Sequence, residues 1–295
     1  MLSAELIAQI RRIELKAKHL VSDVMSGQYA SAFKGRGMEF DEVREYQYGD
    51  DIRFIDWNVT ARMGSPYVKV FREERELSIL LMLDVSGSQH FATGLQTKLA
   101  FAAQIAAVFA FLAQKNNDRV GLVLFSDHIE SYVPPSKGRS HIWHIIRQVL
   151  THESKGARTD LRVPLEFLQR TLKRRSLCFL VSDFWCDSDY GKLLIRAAKQ
   201  HDLLAVLTSD PSEVLVKNMG LLHFEDAESG LSLAIDSGDK GLHKKLDAFY
   251  RQHLQGLSEQ LKSFAIDHIA LTTADDIATS LARLMRQHQS SGGMR

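Results

Sequence analysis

Asp84-Val85-Ser86-Gly87-Ser88 places one carboxylate and two hydroxyls on alternate residues of a short segment. The segment follows the apolar run 77–83, the pattern of a strand covered on both faces. Gly87 leaves the backbone free to turn tightly there. A hard cation such as Mg²⁺ takes oxygen ligands in near-octahedral geometry and usually keeps some of its waters, and Mn²⁺ or Ca²⁺ can use similar donors. Asp84, Ser86 and Ser88 suit that demand without completing it. Two later segments can complete it. Ser182-Asp183 ends a second apolar run, 177–181, and brings a second carboxylate to the same sheet edge if the two strands are neighbours. The loop 155–161 precedes a helix and offers the hydroxyl of Thr159, with the Asp160 carboxylate as the fallback donor. The competing reading of these hydroxyls is plain helix capping.

Bond-making chemistries fit less well. Ser86 lacks the first glycine of a nucleophile elbow, because Asp84 stands there. An aspartyl-phosphatase pattern needs a second Asp two residues on, and that position is Ser86. Gly35-Arg36-Gly37 has neither a third glycine nor a buried strand before it, and no Walker A sequence occurs. The expectation is therefore a binding protein and not an enzyme. An Mg²⁺- or Mn²⁺-dependent phosphoester hydrolase and a scaffold with an unoccupied metal site are the rival readings.

Other polar clusters read as structural. Asp50, Asp51 and Asp56 are expected to pair with Arg44, Arg53 and Arg62, and Tyr46, Tyr48 and Trp57 to pack. The run 72–76 reads as a self-paired solvated surface. His141 and His144 share a helical face but have no evident third ligand partner.

The elements that must position the donors follow from periodicity. Residues 3–25 read as an amphipathic helix. The glycine-interrupted stretch 27–75 reads as small strands and ordered loops. From 77 onward strands alternate with helices. Strands are expected at 77–83, 120–125, 129–133, 177–181, 203–207 and 266–271, with a hairpin at 220–224 and 231–235. Helices are expected at 95–113, 141–150, 161–172, 192–200, 240–262 and 275–287. The edge strand 129–133 should stop at Pro134-Pro135, and the tail 289–295 should fray. Such alternation implies an α/β fold with a mostly parallel, doubly wound sheet. The expected division is 1–75 as an N-terminal segment and 76–290 as the main domain.

Composition narrows the function classes. The 37 basic and 36 acidic residues of the 295 leave a net charge of only +1, too little to draw the chain onto nucleic acid. Cys178 and Cys186 do not suggest a disulfide framework or a four-ligand zinc site. The apolar run near 99–113 is shorter than a membrane span. The start of the chain lacks a signal-peptide core, so a cytoplasmic setting is expected.

Asp84-x-Ser86-x-Ser88, a Thr ahead of a later helix and an Asp closing a later strand resemble the metal-ion-dependent adhesion site of von Willebrand factor A and integrin inserted domains. Residues 117–126 also resemble the second strand of that fold. This resemblance covers roughly residues 76–290. It implies direct metal binding by Ser86 and Ser88, and binding by Asp84, Thr159 and Asp183 directly or through water. One position stays open for an acidic side chain of a partner. A narrower resemblance rests on 40–46, 49–53 and 55–57 followed by Ala61-Arg62, and on Asp210-Pro211-Ser212-Glu213 and 226–230. These are similar to the bacterial family catalogued as domain of unknown function 58. Members of that family typically accompany MoxR-type AAA+ ATPases, which implies such an ATPase as partner. Many relatives carry transmembrane helices ahead of this region, a feature this sequence lacks.

Overall fold

The computed structural model describes residues 4–21, 23–33, 38–73, 76–90, 96–154, 158–213, 220–225 and 232–292. In chain order the elements begin with α1 (Ala4–Leu20), α2 (Asp23–Phe33), β1 (Met38–Glu45), α3 (Trp57–Met63) and β2 (Tyr67–Glu73). The central part is β3 (Ser78–Asp84), α4 (Lys98–Lys115), β4 (Arg119–Phe125), β5 (Ile129–Ser136), α5 (Arg139–Thr151) and α6 (Arg162–Thr171). It continues with β6 (Leu177–Ser182), α7 (Gly191–Gln200) and β7 (Asp202–Ser209). The chain then forms the β8 (Leu221–Glu225) and β9 (Ser232–Asp236) hairpin, α8 (Lys240–Ser263), β10 (Asp267–Thr272) and α9 (Ile277–Gly292).

Six strands form one sheet in the order β10-β7-β6-β3-β4-β5, all parallel except β5 against β4. The α/β architecture with a mostly parallel sheet flanked by helices is as expected. Alternate residues of β3 explain why both faces are covered. Ile79, Leu81 and Leu83 join a core with α1, α2, α4, α5 and α9. Leu80 and Met82 join a second core with α6, α7 and α8. α4 is apolar nearly all round because it is buried nearly all round, from Phe101 to Ala113.

Three local expectations need correction. The leading helix is two helices, α1 and α2, so helix extends into the stretch expected to hold only strands and loops. Pro134 and Pro135 lie inside β5, which runs on to Ser136. As an edge strand it forms no ladder on its outer side, and its register against β4 shifts between Val120 and Leu122. The tail is helical as far as Gly292. Residue 95, the expected start of α4, and residue 231 of the hairpin lie outside the described residues.

The segment before β3 also departs from expectation in part. β1 and β2 form a separate two-stranded antiparallel sheet. Arg44 pairs with Asp50 at 2.7 Å and Arg53 with Asp51 at 2.6 Å, as expected. Asp56 instead accepts from the Asn58 and Val59 amides at the start of α3 and lies 3.4 Å from Lys69, not on Arg62. Tyr48 and Trp57 are exposed, because a two-stranded ribbon has no second layer to cover them. Glu76 pairs with Arg119 and Lys137, while the rest of the expected self-paired run, 72–75, has side chains outside the described residues.

Candidate functional site

The chain leaves β3 toward β4 and β5 on one side, then returns through β6 on the other. The strand order therefore reverses between β3 and β6, and an open α/β sheet forms its ligand crevice beyond the carboxyl ends at such a point. β3 and β6 are hydrogen-bonded neighbours with Leu83 opposite Val181, so Asp84 and Asp183 emerge side by side. After Asp84 a 3-10 turn, Gly87–His90, folds Ser86 and Ser88 back over the strand ends. The Thr159 loop is tied to the neighbouring turn by the Asp160 amide, which donates to the Ser126 carbonyl at 3.1 Å. Phe184 adopts a left-handed φ of 59°, a conformation non-glycine residues rarely take, directly after Asp183.

These elements bring five oxygen-bearing side chains together. The Ser86 amide donates to Asp84 Oδ1 at 3.0 Å. Ser86 and Ser88 Oγ lie 3.2 Å apart, and Thr159 Oγ1 donates to Ser86 Oγ at 2.8 Å. Ser88 Oγ donates to Asp183 Oδ2 at 2.9 Å, and Thr159 Oγ1 lies 3.4 Å from Asp84 Oδ2. Asp160 is held by Arg162 at 2.6 Å, and it is Thr159 that hydrogen-bonds into the cluster.

The electrostatics are set by burial. Asp84 is 1% exposed, and its carboxyl is pushed up to about 7, first by burial and then by the charge of Asp183. Its Oδ2 accepts from Ser182 Oγ at 2.7 Å. Asp183 Oδ2 instead meets an ammonium. Lys98, at the start of α4, lies 2.8 Å from Asp183 and 2.5 Å from Glu213 with its side chain only 2% exposed. Burial alone would lower the Lys98 pKa, but the two carboxylates outweigh it and raise it. Three carboxylates against one ammonium leave two negative charges, the charge that a divalent cation would cancel.

Residues 42–256 match the family described as "Protein of unknown function DUF58". The chain belongs to the DUF58 family. It is 34% identical over 229 residues to the uncharacterized protein Rv1480 of Mycobacterium tuberculosis, covering 77% of this chain and 72% of the relative. An uncharacterized protein of Mycobacterium avium, MAV169, is 25% identical over 53% of this chain and 94% of its own. Among solved structures, BatB from Bacteroides thetaiotaomicron is similar with a TM-score of 0.48 and 11% identity, over 72% of this chain and 99% of that one. An aerotolerance-related membrane protein from Bacteroides fragilis is similar with a TM-score of 0.47 and 12% identity, over 72% of this chain and 98% of its own.

In this DUF58 protein, one helix among the described residues, α4, is long and apolar enough to cross a membrane, and 83% of that stretch is buried inside the fold. Its apolar character is accounted for by the core it fills. Both cysteines are free, with Cys178 buried. His141 Nε2 lies 2.7 Å from the Val120 carbonyl, a structural contact, and His144 is exposed.

Two site residues escaped the sequence reading. Gln89 donates to Asp183 Oδ2 at 3.2 Å, and Lys98 forms the buried ion pairs described above. The available signal was a lysine opening a helix that is otherwise buried and apolar.

The donor set fits a hard divalent cation. Adjacent ligands of octahedral Mg²⁺ stand about 2.9 Å apart, given metal–oxygen distances of about 2.05 Å. The contacts among Ser86, Ser88, Thr159 and Asp183 have that spacing.

Proposed function

We propose that Asp84, Ser86, Ser88, Thr159 and Asp183 hold Mg²⁺ in a von Willebrand factor A-like adhesion site, and that the protein works by binding another protein. Mn²⁺ or Ca²⁺ could take the same place. The cation would act as a Lewis-acidic bridge to a carboxylate of the partner. The observation that carries this reading is the convergence of two carboxylates and three hydroxyls at the strand-order reversal, with the Asp84 carboxyl raised to about 7 by burial and by the charge of Asp183. Sequence resemblance supplies the partner, a MoxR-type AAA+ ATPase, and the process, complex assembly or stress response; the absence of a signal-peptide core and of catalytic motifs is the ground for a cytoplasmic, non-enzymatic role.

The chain's own residues have separate tasks. Ser182 and the Ser86 amide orient Asp84, while Lys98 and Gln89 hold Asp183. Two carboxylates leave the cation's charge nearly neutralised, so an incoming carboxylate is favoured only where water is partly excluded. The test is capture of the candidate ATPase on the immobilised protein. Capture should require Mg²⁺ and be lost with EDTA and in Asp84→Ala/Ser86→Ala. Capture that survives both treatments contradicts the bridge. Turnover of a phosphate ester with Mg²⁺ or Mn²⁺, lost in Asp84→Asn, would replace this reading with a hydrolase.

A further inference from the structure

The candidate metal site opens into a cleft of about 1100 Å³ whose lining reaches well beyond the five oxygen donors. Its charges are unevenly satisfied. Lys98 is spent on Asp183 and Glu213, and Arg162 on Asp160. Among the described residues, that leaves Arg158 as the basic side chain of the lining with no ion pair, against the carboxylates of Asp127, Asp187 and Asp189. Asp187 and Asp189 are exposed, and Asp127 lies beside His128 at 2.7 Å and accepts from Ser126 Oγ at 3.3 Å. Among the described residues the lining carries three basic and six acidic side chains, and these remain net negative even after one divalent cation is added.

One wall of the cleft is aromatic. Trp185, two residues after Asp183, stacks on His253 of α8 with ring centres 3.7 Å apart and an interplanar angle of 11°. Phe249, 61% exposed on the same helix, lies 5.7 Å from Trp185 and extends this wall. Past His253 it continues into a smaller depression of about 370 Å³ that includes Phe249, Tyr190 and Leu257.

We propose that the cleft receives a segment of a partner protein in which one carboxylate is flanked by arginine or lysine. This rests on the metal-bridge reading and specifies its ligand. The carboxylate would reach the cation. The flanking basic side chains would meet Asp127, Asp187 and Asp189 at the rim, and a guanidinium can lie on the exposed ring of Phe249. A segment with acidic flanks would be repelled by the same rim, which gives the site discrimination as well as attachment.

The experiment titrates amidated, acetylated heptapeptides into the intact ¹⁵N-labelled protein with 5 mM MgCl₂ and about 0.15 M salt, where exposed pairs are screened but not abolished. The Trp185 indole cross-peak is the reporter, assigned with Trp185→Phe. One peptide carries a single Asp between two Arg residues. The second replaces both Arg by Gln, and the third keeps Arg but replaces Asp by Asn. The Arg-flanked Asp peptide is expected to bind about tenfold tighter than the Gln-flanked one, as two exposed ion pairs allow. Asp187→Asn/Asp189→Asn should reduce that preference, with Mg²⁺ binding itself retained. Equal binding of the first two peptides, an unchanged preference in the double variant, or no binding of the Arg-flanked Asp peptide at millimolar concentration overturns the proposal. Failure of the metal bridge looks different: the Arg-flanked Asp and Asn peptides then bind equally, and EDTA changes nothing, while the preference for basic flanks persists.

Discussion

Asp84 stands between a proton and a cation. Its carboxyl is raised to about 7 by burial and by Asp183, so the metal-free folded state holds a proton there more tightly than the unfolded chain, whose value is near 3.8. The metal-free protein therefore loses this contribution to stability as pH rises from about 4 to about 7. A bound cation must displace that proton. Mg²⁺ affinity is accordingly expected to fall about tenfold per pH unit below about 7 and to level off above it, as calorimetry at pH 5.5, 6.5 and 7.5 would show. Lys98 works in the opposite sense. Lys98→Met removes a positive charge beside the site and should tighten Mg²⁺ binding by about tenfold or more. It also leaves Asp183 and Glu213 without their buried partner, which should lower metal-free stability by about 3–5 kcal/mol. Melting with and without Mg²⁺ checks both signs, because the variant should show the larger metal-induced rise.

Elements place these residues through packing, and packing explains what could be read in advance. β3, β4, β6 and β7 are buried on both faces and appear as unbroken apolar runs, so their existence and the position of Asp84 and Asp183 at strand ends were legible. That β6 lies beside β3 was a condition, not a deduction, since strand order depends on contacts distant in sequence. The same limit hid Lys98, whose partners lie 85 and 115 residues away. The end of β5 was misplaced because proline forbids ladder donation only where a ladder exists, and β5 has an open edge. Gly121 shows how closely β5 approaches: a Cβ there would lie 2.8 Å from Pro135 N and Val133 O. Gly121→Ala should destabilise the fold by about 1–3 kcal/mol in urea unfolding, since backbone and not a flexible side chain must give way.

At the scale of the molecule, α9 is clamped to the far end of the sheet from the candidate site. His288 lies 2.7 Å from Asp267 at the start of β10 and 3.2 Å from Asp202 at the start of β7. Burial disfavours its protonated form, but the two carboxylates outweigh burial and raise it above 6.5. The clamp thus contributes most below that value and is lost as pH rises through the folded value. The stability advantage of the native chain over His288→Gln should be larger at pH 6 than at pH 8.5 in parallel urea titrations; an advantage independent of pH would show that His288 acts by packing alone.

The central claim is that five oxygen-bearing side chains at the β3–β6 crevice form one cation site, and calorimetric titration of Mg²⁺ into the purified protein at pH 7.5 tests it most directly. The expected result is one Mg²⁺ per chain, with binding abolished in Asp84→Ala/Ser86→Ala while the far-UV circular dichroism is unchanged. No heat of binding with Mg²⁺, Mn²⁺ or Ca²⁺, or undiminished binding in the folded double variant, would contradict the account.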